Sequence, residues 1–246
     1  MSVLLLLVVA FFAATLQAAT GFGFGIVAVS AFFILLKSTD AVQIVIIITL
    51  AMSIVHCYKI RKIIPSYLVK KLLNGCAIGY PIGIALFYFA DTETLKISVA
   101  VLILLMCAQN CFERFRSRNQ AHQSFLPING KYTGIIGTIS GAMASALAMP
   151  GPVMVGYLSQ CDLEKNTIRA AVIATSTISY SVSLILQMSI FGIDAQTWEY
   201  SLMLLPATFA GLFFGDYIAK FINPKLFENI VLFVLLGSGA NIIVTL

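Results

Sequence analysis

Long runs of apolar residues, separated by short polar stretches, occupy most of the chain. A helix needs about 20 apolar residues to cross a membrane, and most of these runs approach that length. No Lys or Arg precedes the first run, so we interpret residues 2–19 as a helix of the mature protein rather than a cleaved signal peptide. The pattern predicts uninterrupted spans at 41–57, 72–90, 95–112, 167–191, 198–219 and 227–246.

Two further apolar runs, 3–36 and 134–159, are interrupted near their middles. The first contains three glycines at alternate positions, and each costs a helix interior roughly 1 kcal/mol relative to alanine. This predicts a helix break at 20–25, and the Pro-Gly-Pro sequence of the second run predicts another at 149–152. Unpaired backbone groups persist in a membrane only where protein or a watery cavity covers them. The two breaks therefore predict a binding site.

The second half of the chain repeats the layout of the first. The spacing of Gly79 and Gly83 recurs in Gly211 and Gly215, and each half begins with an interrupted apolar run. Small residues four apart let another helix approach closely, so these glycines are predicted to pack helices together. The duplication predicts a first repeat over 1–112, a basic cytoplasmic linker over 113–130 and a second repeat over 131–246.

Basic residues in short loops mark the cytoplasmic side of a membrane protein. If 134–159 dips into the membrane and returns, the loop with Lys165 and Arg169 shares the side of the basic linker, and acidic Asp194 and Glu199 lie outside. Each repeat then has a re-entrant pair of short helices plus three spans, and this odd number inverts one copy. The predicted fold is an all-α polytopic membrane protein with two inverted repeats. Full crossing by both interrupted runs, with parallel repeats, is the open alternative.

Composition supports a membrane protein. Apolar residues make up 60% of the 246 positions and charged residues 10%, against about 25% charged in soluble domains. Mean hydropathy is +0.98, so the expected surroundings are a lipid bilayer. The net charge of +5 comes from short loops, and we predict no nucleic-acid partner. The five cysteines form no CxxC pair, and neither a metal site nor a cofactor is predicted.

The interruptions suggest what the site binds. No Asp, Glu, Lys or Arg lies well inside a predicted span, whereas such charges mark most proton relays and cation sites in membranes. Each interruption instead begins a new helix, whose first N–H groups are open and carry partial positive charge. Two such helix starts favour an anion, and nearby hydroxyl groups can add specificity. The candidate substrate-binding residues are Thr20, Gly21, Gly23, Gly25, Thr49, Ser53, Pro150, Gly151, Pro152, Ser176 and Tyr180.

A family resemblance rests on the two interrupted segments. QAATGFGFGIVAVSAFF and SGAMASALAMPGPVMVGYL, each followed by an Ala-rich helix with Ser and Thr and later by a GxxxG helix, resemble the repeats of the sulfite exporter TauE/SafE family. The resemblance extends over almost the whole chain. It implies a bacterial inner-membrane transporter of sulfite, sulfonates such as sulfoacetate or related sulfur-containing anions. The family's motif positions fall on Gly21, Gly23, Gly25 and Gly151 and their neighbours.

We therefore expect a secondary transporter that holds a small sulfur-containing anion between two broken helices near the membrane midplane and works by alternating access. The alternatives are an anion channel and a transporter of another small organic anion. A membrane-embedded enzyme is disfavoured, because no predicted span contains paired carboxylates or a nucleophile with its base. The oligomeric state, the direction of transport and any coupling ion stay open.

Overall fold

The computed structural model describes residues 2–36, 38–102, 104, 128 and 130–218. Four helices in that part of the chain are long and apolar enough to cross a membrane, which confirms an all-α polytopic membrane protein. The predicted span 227–246 and nearly all of the linker 113–130 lie outside the described residues. The helices are α1 (Ser2–Thr20), α2 (Phe24–Leu36), α3 (Asp40–Ile60), α4 (Ser66–Phe89), α5 (from 92, described to 102), α6 (Gly130–Leu147), α7 (Gly151–Leu158), α8 (Lys165–Phe191) and α9 (Ala195–Ile218).

Several helices extend beyond the apolar runs that predicted them. α4 begins at Ser66 rather than at residue 72, and α8 begins at Lys165, which was predicted to lie in a loop before a span at 167–191. Hydropathy falls where the hydrocarbon ends, but the helix continues because Lys and Arg are good helix formers and its backbone hydrogen bonds stay satisfied. The basic side chains are therefore held on rigid helix ends.

Glycines allow two helix pairs to approach closely. α4 packs on α6, and α1 packs on α9. A Cβ atom at Gly79 would lie 2.0 Å from the carbonyl oxygen of Thr138, and one at Gly211 would lie 2.2 Å from that of Phe11. Neither position tolerates a side chain without movement of a helix backbone, which confirms the predicted packing role of these glycines.

These two pairs also connect the halves of the chain, because each half packs its first helix against the other half. Several other contacts recur in both halves: α2 packs on α3 as α7 packs on α8, and α3 meets α9 as α8 meets α4. α3 and α8 also pack on each other.

Candidate functional site

The helix interruptions are shorter than the predicted ones. Helical structure stops over 21–23 and over 148–150. Because α2 begins at Phe24 and α7 begins at Gly151, Gly25 and Pro152 lie in first helical turns rather than in the breaks themselves. Proline is well tolerated there, since the first turn of a helix has no intrahelical use for its N–H groups. Both helices therefore begin directly after an interruption.

The two interruptions end the preceding helices in the same way. The N–H of Gly21 donates to the carbonyl oxygen of Gln17, and the N–H of Ala148 donates to that of Ala144. Gly21 has a φ of 86°, Gly23 has 112° and Ala148 has 57°. These left-handed conformations are easy for glycine and cost alanine about 1 kcal/mol or more, so Ala148 is a strained counterpart of Gly21.

The interruptions lie against each other. A Cβ atom at Gly25 would lie 2.4 Å from the carbonyl oxygen of Ala148, and one at Gly151 would lie 2.8 Å from Cβ of Phe22. Tyr180 of α8 donates its hydroxyl hydrogen to the Ala148 carbonyl oxygen over 3.2 Å. The two helix starts therefore meet at positions where only glycine fits.

A narrow cavity lies between the interruptions and the middle of α3 and α8. The centre of a water molecule can occupy only about 10 Å³ of it, which is room for about one water. Eight of the eleven predicted site residues line it: Gly21, Gly23, Gly25, Ser53, Gly151, Pro152, Ser176 and Tyr180. The other lining residues are Gln17, Phe22, Ile26, Met149 and Ile173.

Two of the remaining predicted residues, Thr49 and Pro150, are not among those that line the cavity. Thr49 is buried, and its hydroxyl donates to the Val45 carbonyl oxygen of the same helix over 2.6 Å. The carbonyl oxygen of Pro150 accepts a hydrogen bond from the Ser140 hydroxyl. The side chain of Thr20 is not among those that the structure describes. A membrane helix commonly satisfies a Thr hydroxyl with its own backbone, which accounts for the position of Thr49.

Gln17 is a cavity residue that the sequence analysis missed. Its side-chain oxygen accepts the N–H of Phe24 over 3.2 Å, so it caps the start of α2. Gly25 and Ile26 follow in the first helical turn, where N–H groups lack intrahelical acceptors. In the sequence, Gln17 stands out as a lone amide side chain in an apolar run, one helical turn before the glycines.

Two helix N-termini bring partial positive charge to the cavity. The N-termini of α2 and α7 both adjoin it, through Gly25 and Gly151, and helix N-termini carry partial positive charge. None of the described residues that line it has a carboxylate, and its hydroxyl groups belong to Ser53, Ser176 and Tyr180. Converging N–H donors and hydroxyls without an opposing negative charge suit an anion.

A charged network adjoins the cavity. Lys59 of α3 contacts Asp216 of α9 at 2.7 Å, and Arg169 of α8 lies 3.7 Å from the same carboxylate. The same nitrogen of Arg169 lies 3.0 Å from Nε2 of His56 and donates to the carbonyl oxygen of Ala18. We call Lys59, Asp216, Arg169 and His56 the ion network. It joins α1, α3, α8 and α9.

Arg169 brings this network to the cavity wall. A Cβ atom at Gly21 would lie 2.8 Å from Cγ of Arg169, so the arginine side chain covers one side of Gly21. The expectation that no charge lies well inside a span missed this arrangement, because Arg169 and Asp216 lie near helix ends and meet only in the folded protein. Within the described residues, no group of His, Cys, Asp or Glu is arranged to hold a metal ion.

Comparison with known proteins identifies the family. The family model for Sulfite exporter TauE/SafE matches residues 6–242, a range that includes both interruptions. This chain belongs to the TauE/SafE family. The resemblance to that family is thus confirmed over nearly the whole chain.

One curated relative of the TauE/SafE chain is the probable inner membrane transporter protein TsaS of Comamonas testosteroni. The two are 27% identical over 111 residues, which cover 45% of each chain. The match thus spans less than half the length of this relative. No solved structure matches the TauE/SafE chain.

Proposed function

We propose that this TauE/SafE protein is a secondary transporter of small sulfur-containing anions, such as sulfite or a sulfonate like sulfoacetate, in a bacterial inner membrane. The observation that carries the proposal is the meeting of two helix N-termini at one cavity, with Gly25 and Gly151 at the contact. The family description names sulfite export, and the matched relative is named as an inner membrane transporter. Transport rather than catalysis is proposed because both names describe carriers.

The chemistry of the cavity fits an oxyanion. Sulfite and sulfonate groups present three oxygens on one sulfur, and these can accept hydrogen bonds from two sides at once. The N–H groups of Gly25 and Ile26 in α2 and of Gly151 in α7 supply donors, and the hydroxyls of Ser53 and Ser176 supply others. Fixed N–H donors bind the anion without a buried lysine or arginine at the cavity centre.

Substrate entry requires movement, because the cavity holds about one water and a sulfur oxyanion is larger. We propose that inverted repeats move against each other around the paired interruptions, which gives alternating access. The exchange of α1 and α6 supports this arrangement, because the first helix of each half packs on the other half.

Reconstituted transport tests the proposal. Purified protein in liposomes should take up radiolabelled sulfite with saturation kinetics, and unlabelled sulfite on the far side should accelerate the uptake. Gly151→Leu should abolish uptake, because a Cβ atom there already lies 2.8 Å from Phe22. Gly134→Leu is the matched control, since a Cβ atom at Gly134 has no atom within 4 Å.

The outcomes separate the alternatives. Saturable uptake that Gly151→Leu abolishes and Gly134→Leu retains supports a carrier with its site at the interruptions. A flux that rises linearly with sulfite and shows no acceleration by unlabelled sulfite would indicate a channel. Unchanged uptake in a correctly inserted Gly151→Leu protein would exclude the proposed site.

A further inference from the structure

Both ends of α8 reach the helices that precede the interruptions. Arg169, near its start, donates to the carbonyl oxygen of Ala18 in α1. Gln187, near its end, donates through Nε2 to the carbonyl oxygen of Ser145 in α6 over 2.8 Å. Ala18 precedes Gly21 by the same number of residues as Ser145 precedes Ala148, so these contacts are counterparts. One is charged and the other is neutral.

Arg169 lies between the cavity and the beginning of α8. Ile173 lines the cavity and follows Arg169 by about one helical turn, or roughly 6 Å along the helix. Cγ of Arg169 lies against Gly21 on the cavity wall. Its guanidinium meets Asp216 of α9 and the carbonyl of Ala18 at the end of α1. Arg169 therefore lies beside the cavity at this end.

Two buried nitrogen atoms of the ion network, Nε of Arg169 and Nδ1 of His56, have no hydrogen-bond partner among the described residues. The His56 side chain is 3% exposed. A buried polar group without a hydrogen-bond partner costs free energy, so a polar ligand gains binding free energy by pairing with it. Meanwhile Lys59 pairs with Asp216 at 2.7 Å, and that carboxylate stays neutralised if Arg169 moves away.

We propose that Arg169 is the gate at this end of the cavity and the cationic contact for the anion that passes through. In the closed state it binds the Ala18 carbonyl and Asp216. In the open state it exchanges both for two oxygens of the anion, which a guanidinium contacts in a planar, paired geometry. The specificity for anions at this end then comes from Arg169, whereas Gln187 makes its contact with α6 without charge.

The proposal rests on the proposed transport function, so its first test is independent of transport. With the native cysteines replaced by serine, Ser176→Cys places a single thiol at the cavity. A membrane-impermeant methanethiosulfonate is applied to spheroplasts and to inverted vesicles, and the labelling rate is measured from each side. Labelling in detergent after denaturation confirms that the thiol is present.

Arg169→Gln should raise the labelling rate from the side of the α8 start about tenfold, which corresponds to about 1.4 kcal/mol of lost gate closure. The rate from the other side should not change. Asp216→Asn should raise the same labelling rate by a similar factor while keeping the arginine. This second variant tests the gate if Arg169→Gln folds poorly. Gln187→Leu is the matched control, since it removes the neutral contact of α8 with α6, and it should leave the rate from the side of the α8 start unchanged. Unchanged rates in both Arg169→Gln and Asp216→Asn would overturn the gate.

A second measurement tests the contact with the anion. Arg169→Gln should lower the maximal rate of sulfite uptake at least fivefold, with unchanged thermal stabilisation of the protein by sulfite, because the central cavity still binds. Arg169→Lys should restore part of the rate. An unchanged maximal rate would overturn the contact with the anion, and so would a loss of sulfite binding, which would place Arg169 in the central site. If the wild type transports no sulfite, the proposed function fails, and the labelling rates still decide whether Arg169 is a gate.

Discussion

Gly25→Ala is the smallest change that separates the two interruptions. Gly25 lies in the first turn of α2, and an added Cβ atom would lie 2.4 Å from the backbone oxygen of Ala148 and 3.1 Å from Cγ of Met149. The methionine can rotate away, but the carbonyl belongs to the second interruption. Ordinary contact begins at 3.4 Å, so α2 and the second interruption must separate by about 1.0 Å (3.4 − 2.4).

This displacement is enough to lose a hydrogen bond to the substrate. Hydrogen bonds from N–H to oxygen span 2.7 to 3.2 Å, so about 1 Å of added distance breaks one. A hydrogen bond to a charged group contributes roughly 1.5–3 kcal/mol, and its loss weakens binding roughly 10-fold to 150-fold. The net cost in folding stability is about 0–2 kcal/mol, because two effects oppose each other. Alanine gains about 1 kcal/mol of helix propensity over glycine, whereas overpacking costs about 1–3 kcal/mol.

Titration of the thermal midpoint with sulfite measures both effects. A ligand that binds only the folded protein raises Tm by mass action, so the dose dependence gives the apparent Kd. Gly25→Ala should keep a Tm within several degrees of wild type and should need at least tenfold more sulfite for the same increase. Gly134→Ala should leave the titration unchanged. If Gly25→Ala needs no more sulfite than the wild type for the same increase in Tm, the spacing of the two interruptions does not set the affinity, and the reasoning is refuted.

Three further predictions concern stability. Gly79→Ala should lower Tm by several degrees, because its Cβ atom would lie 2.0 Å from a backbone carbonyl oxygen of α6 and α4 cannot move away alone. Gln17→Leu should lower the free energy of unfolding by about 1 kcal/mol, because it removes the hydrogen bond to the Phe24 N–H. Gln17→Glu should keep the stability but weaken sulfite binding through charge repulsion. Measuring both Tm and the sulfite titration for each variant distinguishes the two effects. Hydrogen bonds from Thr94 lower the pKa of Asp91, so this carboxylate stabilises the fold above its unfolded pKa. The Tm difference between wild type and Asp91→Ala should therefore be present at neutral pH and disappear as the pH falls below about 4.

Hydropathy predicted the spans and both interruptions because those features are local. Three closely spaced glycines in an apolar run strongly favour a helix break. Most of the predicted site residues line one cavity, among them Gly21 and Gly151. Helix ends were predicted less well. The apolar pattern stops with the hydrocarbon, whereas Ser66 and Lys165 begin helices that continue outside it.

Contacts between distant residues could not be predicted. Arg169 meets Asp216 and the carbonyl of Ala18, and none of the three is near another in sequence. A single arginine at the end of an apolar run is typical of a cytoplasmic loop, and only the packing of α8 against α1 and α9 places it over Gly21. Gln17 was missed for a related reason, since its role as a cap depends on how the chain turns after it.

The exchange of first helices between the halves constrains how the protein is made. α1 leaves the ribosome before the other described helices, and it packs through Phe11 against Gly211 of α9, the last of them. α1 must therefore stay in the membrane with this face unfilled until α9 has been translated. The pairing of α4 with α6 forms earlier and can hold the partly made protein together meanwhile. Synthesis of the first half alone would leave α1 without its partner, so the two halves are one unit of assembly as well as one site.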